Sequence, residues 1–294
     1  FGILESELGA AMELLRQEAA GLSLVGLHCH IGSQIAEAAL YATAARRLGQ
    51  QVRLLDQALG HRLEHVNLGG GFPLPYAYGP EAAQQGGLFR PGLTVEEIAA
   101  AALPVVLREI GRPMEVILEP GRSLVGDAAV LLSRVENAKT RDGAQWLFLD
   151  AGYNVLVESY TYKWYYHAVP ADRVEAPLAP FRLVGPLCDN GDSFFDVDGE
   201  RTVERLVAAD PRLADCRELL DSLLVRLPPQ RLLAADSKPG DLIAFLDVGA
   251  YTLDQLTPNN GRPRPEVGLI DAEGRYGVMR RRDSLVDLFF NEVA

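Results

Sequence analysis

Residues 114–122 read MEVILEPGR, a short apolar run that stops at charged and turn-forming residues. Branched apolar residues bounded by Pro and Gly predict a short buried strand, the kind found in parallel sheets that are covered on both faces. Glu119 and Arg122 then follow the carboxyl end of this strand. Ligands bind at this end in α/β proteins, and a carboxylate there needs a cationic or hydrogen-bonding partner. The alternative is that Glu119 and Arg122 simply pair with each other or cap a turn.

The residues before this strand alternate between helical and extended patterns. Helices are predicted at 5–20, 36–59 and 94–110, and strands at 22–31 and 63–68. Thr94, with Glu97 three residues later, has the spacing of a helix capping box. Alternation with short connections predicts βαβ units in a parallel sheet or barrel.

A different pattern follows Arg122. Short β-rich runs separated by Gly, Pro and Asp predict a mostly antiparallel β domain; they lie at 129–135, 145–149, 181–184, 241–246, 266–270 and 276–279. Periodic leucines among charged residues predict a helical insertion at about 200–236. We therefore expect an α/β domain over 1–127 and a β domain over 128–294.

Composition limits the class of partner. The chain has 294 residues, a net charge of −12 and a pI of about 4.9, which argues against nucleic acid and anionic membranes as partners. No apolar run approaches the roughly 20 residues of a membrane span, and no signal peptide is recognisable, so a cytoplasmic location is the expectation. Cys29, Cys188 and Cys216 lie far apart, which suggests neither a disulfide framework nor a zinc site. A small-molecule ligand is expected.

Three predicted strand ends carry ligand-binding residue types: HIGSQ at 30–34, NLGGGF at 67–72 and EPGR at 119–122. In a barrel these loops emerge on one face. Backbone N–H groups of Gly70 and Gly71, the Ser33 hydroxyl and the Arg122 guanidinium would then form a phosphate site. Taken singly, three glycines can be just a turn, and His30 can be an ordinary interior residue.

Six segments in this order resemble the fold-type III pyridoxal-phosphate decarboxylases, the diaminopimelate and ornithine decarboxylase family. They are HCHIGSQ (28–34), NLGGGFP (67–73), EPGR (119–122), GPLCDNGD (185–192), GAYT (249–252) and NGRPRPEV (260–267). The resemblance implies part of a TIM-type (β/α)8 barrel, alanine racemase-like, followed by the β domain. It also implies a homodimer with shared active sites.

The resemblance assigns roles to individual residues. His30 would stack on the pyridoxal 5'-phosphate ring, and Glu119 would face the pyridine nitrogen. The phosphate would be held by Ser33, Gly70, Gly71, Arg122 and Tyr251. Cys188 and Asp189 would reach the partner subunit's site, where the Cys188 thiol could return a proton to the substrate. An isolated cysteine would instead be interpreted as a small buried hydrophobe.

The chain departs from the family pattern in two places that bear on activity. Lys139, Lys163 and Lys238 are its lysines, and none matches the lysine that forms the family's Schiff base near the start of the barrel. We therefore expect that roughly the first third of such a protein precedes this chain, and that the chain alone is inactive. Diaminopimelate decarboxylases carry Arg-Pro where this chain has Glu158-Ser159, although Tyr162 still matches.

The charges at Glu158 and Asp189 favour a substrate with a cationic far end. The leading hypothesis is a decarboxylase of ornithine, lysine or arginine in preference to diaminopimelate, with Glu158, Tyr162 and Asp189 at the substrate. Glu158 could instead point to solvent. Two other functions are an alanine-racemase-like activity, which would typically place Arg where this chain has Glu119, and a regulatory homologue that has lost the cofactor.

Overall fold

The computed structural model describes residues 2–18, 21–84, 88–89 and 91–293. These residues form two compact units. The first comprises Phe1–Gly71 and Leu93–Pro120, and the second comprises Phe72–Gly92 and Gly121–Ala294. Within the described ranges, every helix is too short or too polar to cross a membrane.

The first unit alternates helices and strands as the sequence predicts. Its elements are α1 (Leu8–Glu18), β1 (Gly26–His28), α2 (Ala38–Leu59), β2 (His65–Asn67), α3 (Val95–Ile110) and β3 (Glu115–Ile117). The strands form a parallel sheet in the order β1-β2-β3. The expected strand at 22–31 shortens to three residues, and the expected end of the first helix at Ala20 lies outside the described residues.

The long helices α2 and α3 pack against each other through residues spaced three or four apart. Buried positions of α3 are Ile98, Ala102, Val106 and Ile110. Thr94 accepts a hydrogen bond from the backbone N–H of Glu97, whose side chain accepts from the Thr94 N–H, which confirms the capping box.

The second unit is built on a six-stranded sheet. Its helices are α4 (Arg122–Val125), α5 (Val157–Thr161), α6 (Val197–Ala209), α7 (Arg217–Leu224) and α8 (Leu285–Leu288). Its strands are β4 (Leu131–Arg141), β5 (Ala144–Leu149), β6 (Ala168–Pro170), β7 (Leu178–Val184), β8 (Arg231–Ala234), β9 (Leu242–Phe245), β10 (Val267–Ile270) and β11 (Tyr276–Arg280). The sheet order is β6-β9-β4-β5-β7-β8, and β10 and β11 form a separate hairpin. Only β5 and β7 pair in parallel among these strands, so the predicted mostly antiparallel character is confirmed.

The predicted helical insertion at 200–236 is wrong at its carboxyl end. Helices α6 and α7 are present, but β8 then pairs with β7 at the edge of the sheet. Leu233 and Ala234 are fully buried, and the buried guanidinium of Arg231 lies 4.5 Å over the Tyr165 ring. This strand was not predicted because a buried arginine does not fit the alternation of apolar and polar residues that is expected of a half-exposed strand.

The Pro- and Gly-rich segment after the three glycines packs into the core of the second unit. The Tyr76 and Phe89 rings meet the Trp164 ring edge to face at centroid distances of 5.3 and 5.2 Å. Glu81 accepts a 2.5 Å hydrogen bond from the Tyr165 hydroxyl and lies 3.4 Å from Nδ1 of His167. The segment is therefore fixed by aromatic packing and buried polar contacts, without regular strands of its own.

Candidate active site

The carboxyl ends of the three parallel strands bring the predicted residues of the first unit together. His28, Asn67 and Ile117 are in register across β1, β2 and β3. The residues that follow each strand therefore leave the same edge of the sheet. His30 follows β1, the three glycines follow β2 and Glu119 follows β3.

Glu119 is held by side chains from the other two strands of the parallel sheet. Its Oε1 accepts a 2.8 Å hydrogen bond from Nδ2 of Asn67, and its Oε2 lies 3.6 Å from Nε2 of His28. The Glu119 side chain remains about half exposed. The carboxylate is thus oriented at the strand ends with lone pairs available for a ligand.

The glycines after β2 allow two loops to approach each other closely. A Cβ added at Gly70 would overlap the carbonyl oxygen of Glu119, and one at Gly71 would overlap the carbonyl oxygen of Gly32. Gly71 also has a φ of +85°, a conformation that glycine adopts readily. These glycines are therefore needed for the close packing of neighbouring loops, and not only for a turn.

His30 and Ser33 lie beside these glycines. Nδ1 of His30 accepts a 3.2 Å hydrogen bond from the Gly70 backbone N–H, so the ring's other nitrogen is free to carry a proton. His30 is exposed, so the interpretation of this residue as an interior histidine is wrong. The Cα of Ser33 would lie 3.3 Å from a Cβ added at Gly71. Four of the predicted cofactor residues are thus neighbours in one loop cluster.

Arg122 begins α4 in the second unit and is almost completely buried. Its guanidinium lies between the rings of Trp164 and Tyr251, at 4.4 and 4.3 Å from the ring centroids. Nη2 donates a 2.6 Å hydrogen bond to Oε1 of Glu158, while Nε is buried without a hydrogen-bond partner among the described residues. Glu119 and Arg122 therefore each have a partner within their own unit.

Glu158 is a buried counter-ion of Arg122. Only 2% of Glu158 is exposed, so the alternative in which it points to solvent is wrong. Its second oxygen accepts a 3.4 Å hydrogen bond from the Tyr166 hydroxyl. Burial raises the pKa of Glu158, and the Arg122 charge opposes this shift. Tyr162, four residues later, is exposed.

Cys188 and Asp189 lie on the turn after β7. Cys188 is exposed, so it is not the small buried hydrophobe of the alternative interpretation, and its backbone N–H donates a 2.7 Å hydrogen bond to Oδ1 of Asn260. Asp189 accepts hydrogen bonds from the Gly191 N–H at 2.7 Å and from the Tyr153 hydroxyl at 3.1 Å.

Several residues of this region were missed in the sequence analysis. Asp192 is buried and accepts hydrogen bonds from the backbone N–H groups of Leu187 at 2.7 Å and Tyr153 at 2.9 Å, which fixes the turn that carries Cys188. Burial raises the pKa of Asp192, and these two hydrogen bonds oppose the shift. The sequence signal that could have identified Asp192 is its place at the end of the segment GPLCDNGD. No motif in the sequence points to Tyr153 or Trp164.

Comparison with known proteins relates the chain to decarboxylases that use pyridoxal phosphate. Residues 1–126 match the family model described as "Pyridoxal-dependent decarboxylase, pyridoxal binding domain". Over these residues the chain is similar to the pyridoxal-dependent decarboxylases. It is 30% identical over 297 residues to the diaminopimelate decarboxylase of Archaeoglobus fulgidus, with 98% of this chain and 59% of the relative covered.

Two further comparisons extend over nearly the whole chain. The diaminopimelate decarboxylase of Escherichia coli strain K12 is 30% identical over 298 residues, with 99% of this chain and 61% of the relative covered. A crystal structure of the M. jannaschii diaminopimelate decarboxylase with L-lysine superposes with a TM-score of 0.77 at 26% identity, covering 100% of this chain and 58% of that one. The chain therefore spans about 60% of the length of the curated relatives it matches.

Proposed function

We propose that the protein is an amino-acid decarboxylase that uses pyridoxal 5'-phosphate. The observation that carries this proposal is the Glu119 carboxylate, held at the carboxyl end of β3 by Asn67 at 2.8 Å. A carboxylate facing a pyridine nitrogen keeps that nitrogen protonated, whereas an arginine, as the racemase hypothesis would require, does not. The similarity to pyridoxal-dependent decarboxylases supports the same activity.

The residues present fit this cofactor. Glu119 and His30 would serve its ring, and Ser33, Gly70 and Gly71 offer a loop cluster into which no Cβ intrudes. The family resemblance would assign Arg122, in the second unit, to the phosphate, and its Nε has no hydrogen-bond partner among the described residues. When bound, pyridoxal 5'-phosphate supplies the electron sink that accepts the electron pair released as carbon dioxide leaves.

The proton that replaces the carboxyl group would come from the Cys188 thiol. Cys188 is exposed on a turn fixed by Asp192 and Asn260, so it can present its Sγ outward from the second unit. By the family resemblance this turn serves the partner subunit's site, and we therefore propose a homodimer with shared sites. The three parallel strands would belong to an eight-stranded barrel in the complete protein.

The charge pattern supports a basic amino acid as the substrate, with a changed role for Glu158. Both oxygens of Glu158 are engaged, by Arg122 and Tyr166, so it does not stand ready to hold a substrate ammonium group. Its effect is to replace the family arginine that grips a distal carboxylate and to neutralise Arg122. Asp189, which is exposed, is then the acidic group that would hold the ammonium of ornithine, lysine or arginine.

Diaminopimelate is the second candidate substrate. It is favoured by the relatives at 30% identity, which are diaminopimelate decarboxylases. It is disfavoured because Glu158 stands where the family has the arginine that grips a distal carboxylate, and because Glu158 neutralises Arg122.

The test is a substrate panel measured on the complete natural protein. We expect carbon dioxide release from at least one of ornithine, lysine and arginine, with diaminopimelate slower, and a marked rise in KM for the preferred substrate in Asp189→Ala. The Glu158→Arg variant should not decarboxylate basic amino acids faster than the unmutated protein, because it places the new guanidinium group beside that of Arg122. Efficient release from diaminopimelate with basic amino acids ignored would refute the charge argument while leaving the decarboxylase assignment intact.

A further inference from the structure

Three turns of the second unit meet around the hydrogen bond between Tyr153 and Asp189. The Tyr153 hydroxyl, from the turn after β5, donates a 3.1 Å hydrogen bond to Oδ2 of Asp189. Nδ2 of Asn259, from the turn before β10, donates a 2.7 Å hydrogen bond to the Tyr153 hydroxyl oxygen. The Gly191 N–H, from the turn of Asp189 itself, donates to Oδ1 at 2.7 Å. Asp189 thus has a partner on each carboxylate oxygen.

The chain of hydrogen bonds has a defined direction. The Asn259 amide nitrogen can only donate, so the Tyr153 oxygen accepts that bond and directs its own proton toward Asp189. A hydroxyl donating to a carboxylate makes a charge-assisted hydrogen bond, which is stronger than a neutral one. Each carboxylate oxygen has two lone-pair sites, so Asp189 can still accept from a ligand cation while Tyr153 holds it.

Tyr153 is itself held in place at both ends. Its ring stacks on the Tyr160 ring with centroids 4.7 Å apart and an interplanar angle of 26°. Its backbone N–H donates to the buried carboxylate of Asp192 at 2.9 Å. The hydroxyl therefore reaches Asp189 from a rigid support, with little rotamer freedom left to lose on ligand binding.

The turn that carries Asn259 also forms hydrogen bonds with the turn that carries Cys188. Oδ1 of Asn260 accepts from the Cys188 N–H at 2.7 Å, and Nη2 of Arg262 donates to the Pro186 carbonyl at 3.2 Å. Asn260 adopts a φ of +55°, which asparagine tolerates better than most residues. The segments GPLCDNGD and NGRPRPEV are thus joined by side-chain hydrogen bonds.

We propose that Tyr153 is a positioning residue that orients the Asp189 carboxylate toward the distal ammonium group of the substrate, with Asn259 setting the direction of the Tyr153 hydroxyl. The inference rests on the proposed function and adds a specificity device to it. Tyr153 acts through Asp189 and touches no reacting atom. Its removal therefore weakens the binding of a cationic substrate and leaves the chemical step nearly unchanged.

The test compares Tyr153→Phe with wild type in the complete natural protein, on the preferred basic amino acid and on norleucine, which lacks the distal charge. The variant keeps the ring and its stacking and loses only the hydroxyl. We expect KM for the basic amino acid to rise roughly tenfold, equivalent to the ~1.4 kcal/mol of one hydrogen bond to a charged group, with kcat changed less than about twofold. KM for norleucine should stay constant.

A double-mutant cycle and a matched control complete the experiment. In an Asp189→Asn background, Tyr153→Phe should cause almost no further rise in KM, because the two residues act together. Tyr276→Phe, which removes a similar hydroxyl-to-carboxylate bond of 2.5 Å to Glu266, should leave KM for the basic amino acid unchanged.

The possible results separate this inference from the proposed function. The positioning role alone would be overturned if Tyr153→Phe decarboxylated the basic amino acid with the wild-type KM. It would also be overturned if KM rose equally for the basic amino acid and for norleucine. Additive effects in the cycle would overturn it as well. Failure of the wild-type protein to release carbon dioxide from any amino acid would overturn the proposed function together with the inference.

Discussion

Nη2 of Arg122 donates a 2.6 Å hydrogen bond to Oε1 of Glu158, and both side chains are almost completely buried. The aromatic rings of Trp164 and Tyr251 cover the two faces of the guanidinium. A charge in such surroundings is tolerated only with a counter-ion close by. The pair therefore sets both the stability of this part of the second unit and the charge that a ligand meets at Arg122.

Replacement of Glu158 by Gln should destabilise the protein strongly. It leaves Arg122 buried without its counter-ion, and breaking a buried ion pair from one side costs about 3–5 kcal/mol. The free energy of unfolding, measured by urea titration, gives the loss. Glu13→Gln is the matched control, because the Glu13–Arg16 pair is exposed and its loss should cost less than about 1 kcal/mol. Equal losses in the two variants would contradict the structural role of the pair.

Replacement of Gly70 by Ala should reduce both stability and cofactor binding. The added Cβ would meet the Glu119 carbonyl oxygen, and overpacking of this kind costs about 1–3 kcal/mol. The φ of Gly70 lies outside the left-handed region, so the cost is steric alone. Gly9→Ala in α1, where a Cβ meets nothing within 4 Å, should instead stabilise the helix by about 0.5–1 kcal/mol. A neutral Gly70→Ala in thermal melts and cofactor titration would argue against the close loop approach.

Stability should fall as the pH drops below about 6.5, partly because of His167. Burial lowers the pKa of His167 from its ordinary value of 6.5, while Glu81 at 3.4 Å opposes the shift and Arg231 adds to it. The unfolded chain then binds a proton at His167 at a higher pH than the folded chain does, so its contribution to stability is present above pH 6.5 and is lost below it. His167→Gln should flatten the slope of unfolding free energy against pH between 7 and about 5.5. An unchanged slope in the variant would show that other groups set the dependence.

The chain of 294 residues should not bind pyridoxal 5'-phosphate covalently through its own lysines. Lys139 lies 4.4 Å over the Phe148 ring, Lys163 is within 3.8 Å of Asp196 and Asp198, and Lys238 lies in the turn between β8 and β9. None of the three lysines lies in a loop that follows β1, β2 or β3. Borohydride reduction followed by peptide mass spectrometry is the measurement. A lysine carrying the reduced cofactor would show that the Schiff-base residue had been misplaced.

The sequence was most informative where structure depends on neighbouring residues along the chain. The capping box at Thr94 and the extent of α3 are local signals, and both were predicted correctly. The candidate residues at the ends of β1, β2 and β3 could be grouped because parallel strands deliver their carboxyl ends to one edge. Strand lengths were overestimated, since an apolar run does not reveal where hydrogen-bonded pairing stops.

The sequence was least informative where the surroundings decide the role of a residue. Glu158 could be placed at a substrate position, but its pairing with Arg122 depends on residues brought in from α4 and the chain after α5. Tyr153 carries no motif, and its position beside Asp189 and Asn259 follows only from the meeting of three turns. The pairing of β8 at the sheet edge was missed because its arginine is buried over a tyrosine ring.

The most direct measurement follows the fate of the α-carbon in the complete natural protein. The protein is incubated in deuterium oxide with carboxyl-labelled ornithine, lysine, arginine or diaminopimelate, and both labelled carbon dioxide and α-deuterated amino acid are quantified. A decarboxylase with Glu119 at the pyridine nitrogen should release one carbon dioxide for each amine formed, and Glu119→Gln should slow this release by at least about a hundredfold, the scale of one positioned acid–base group. Deuterated, racemised amino acid without carbon dioxide release would contradict the assignment.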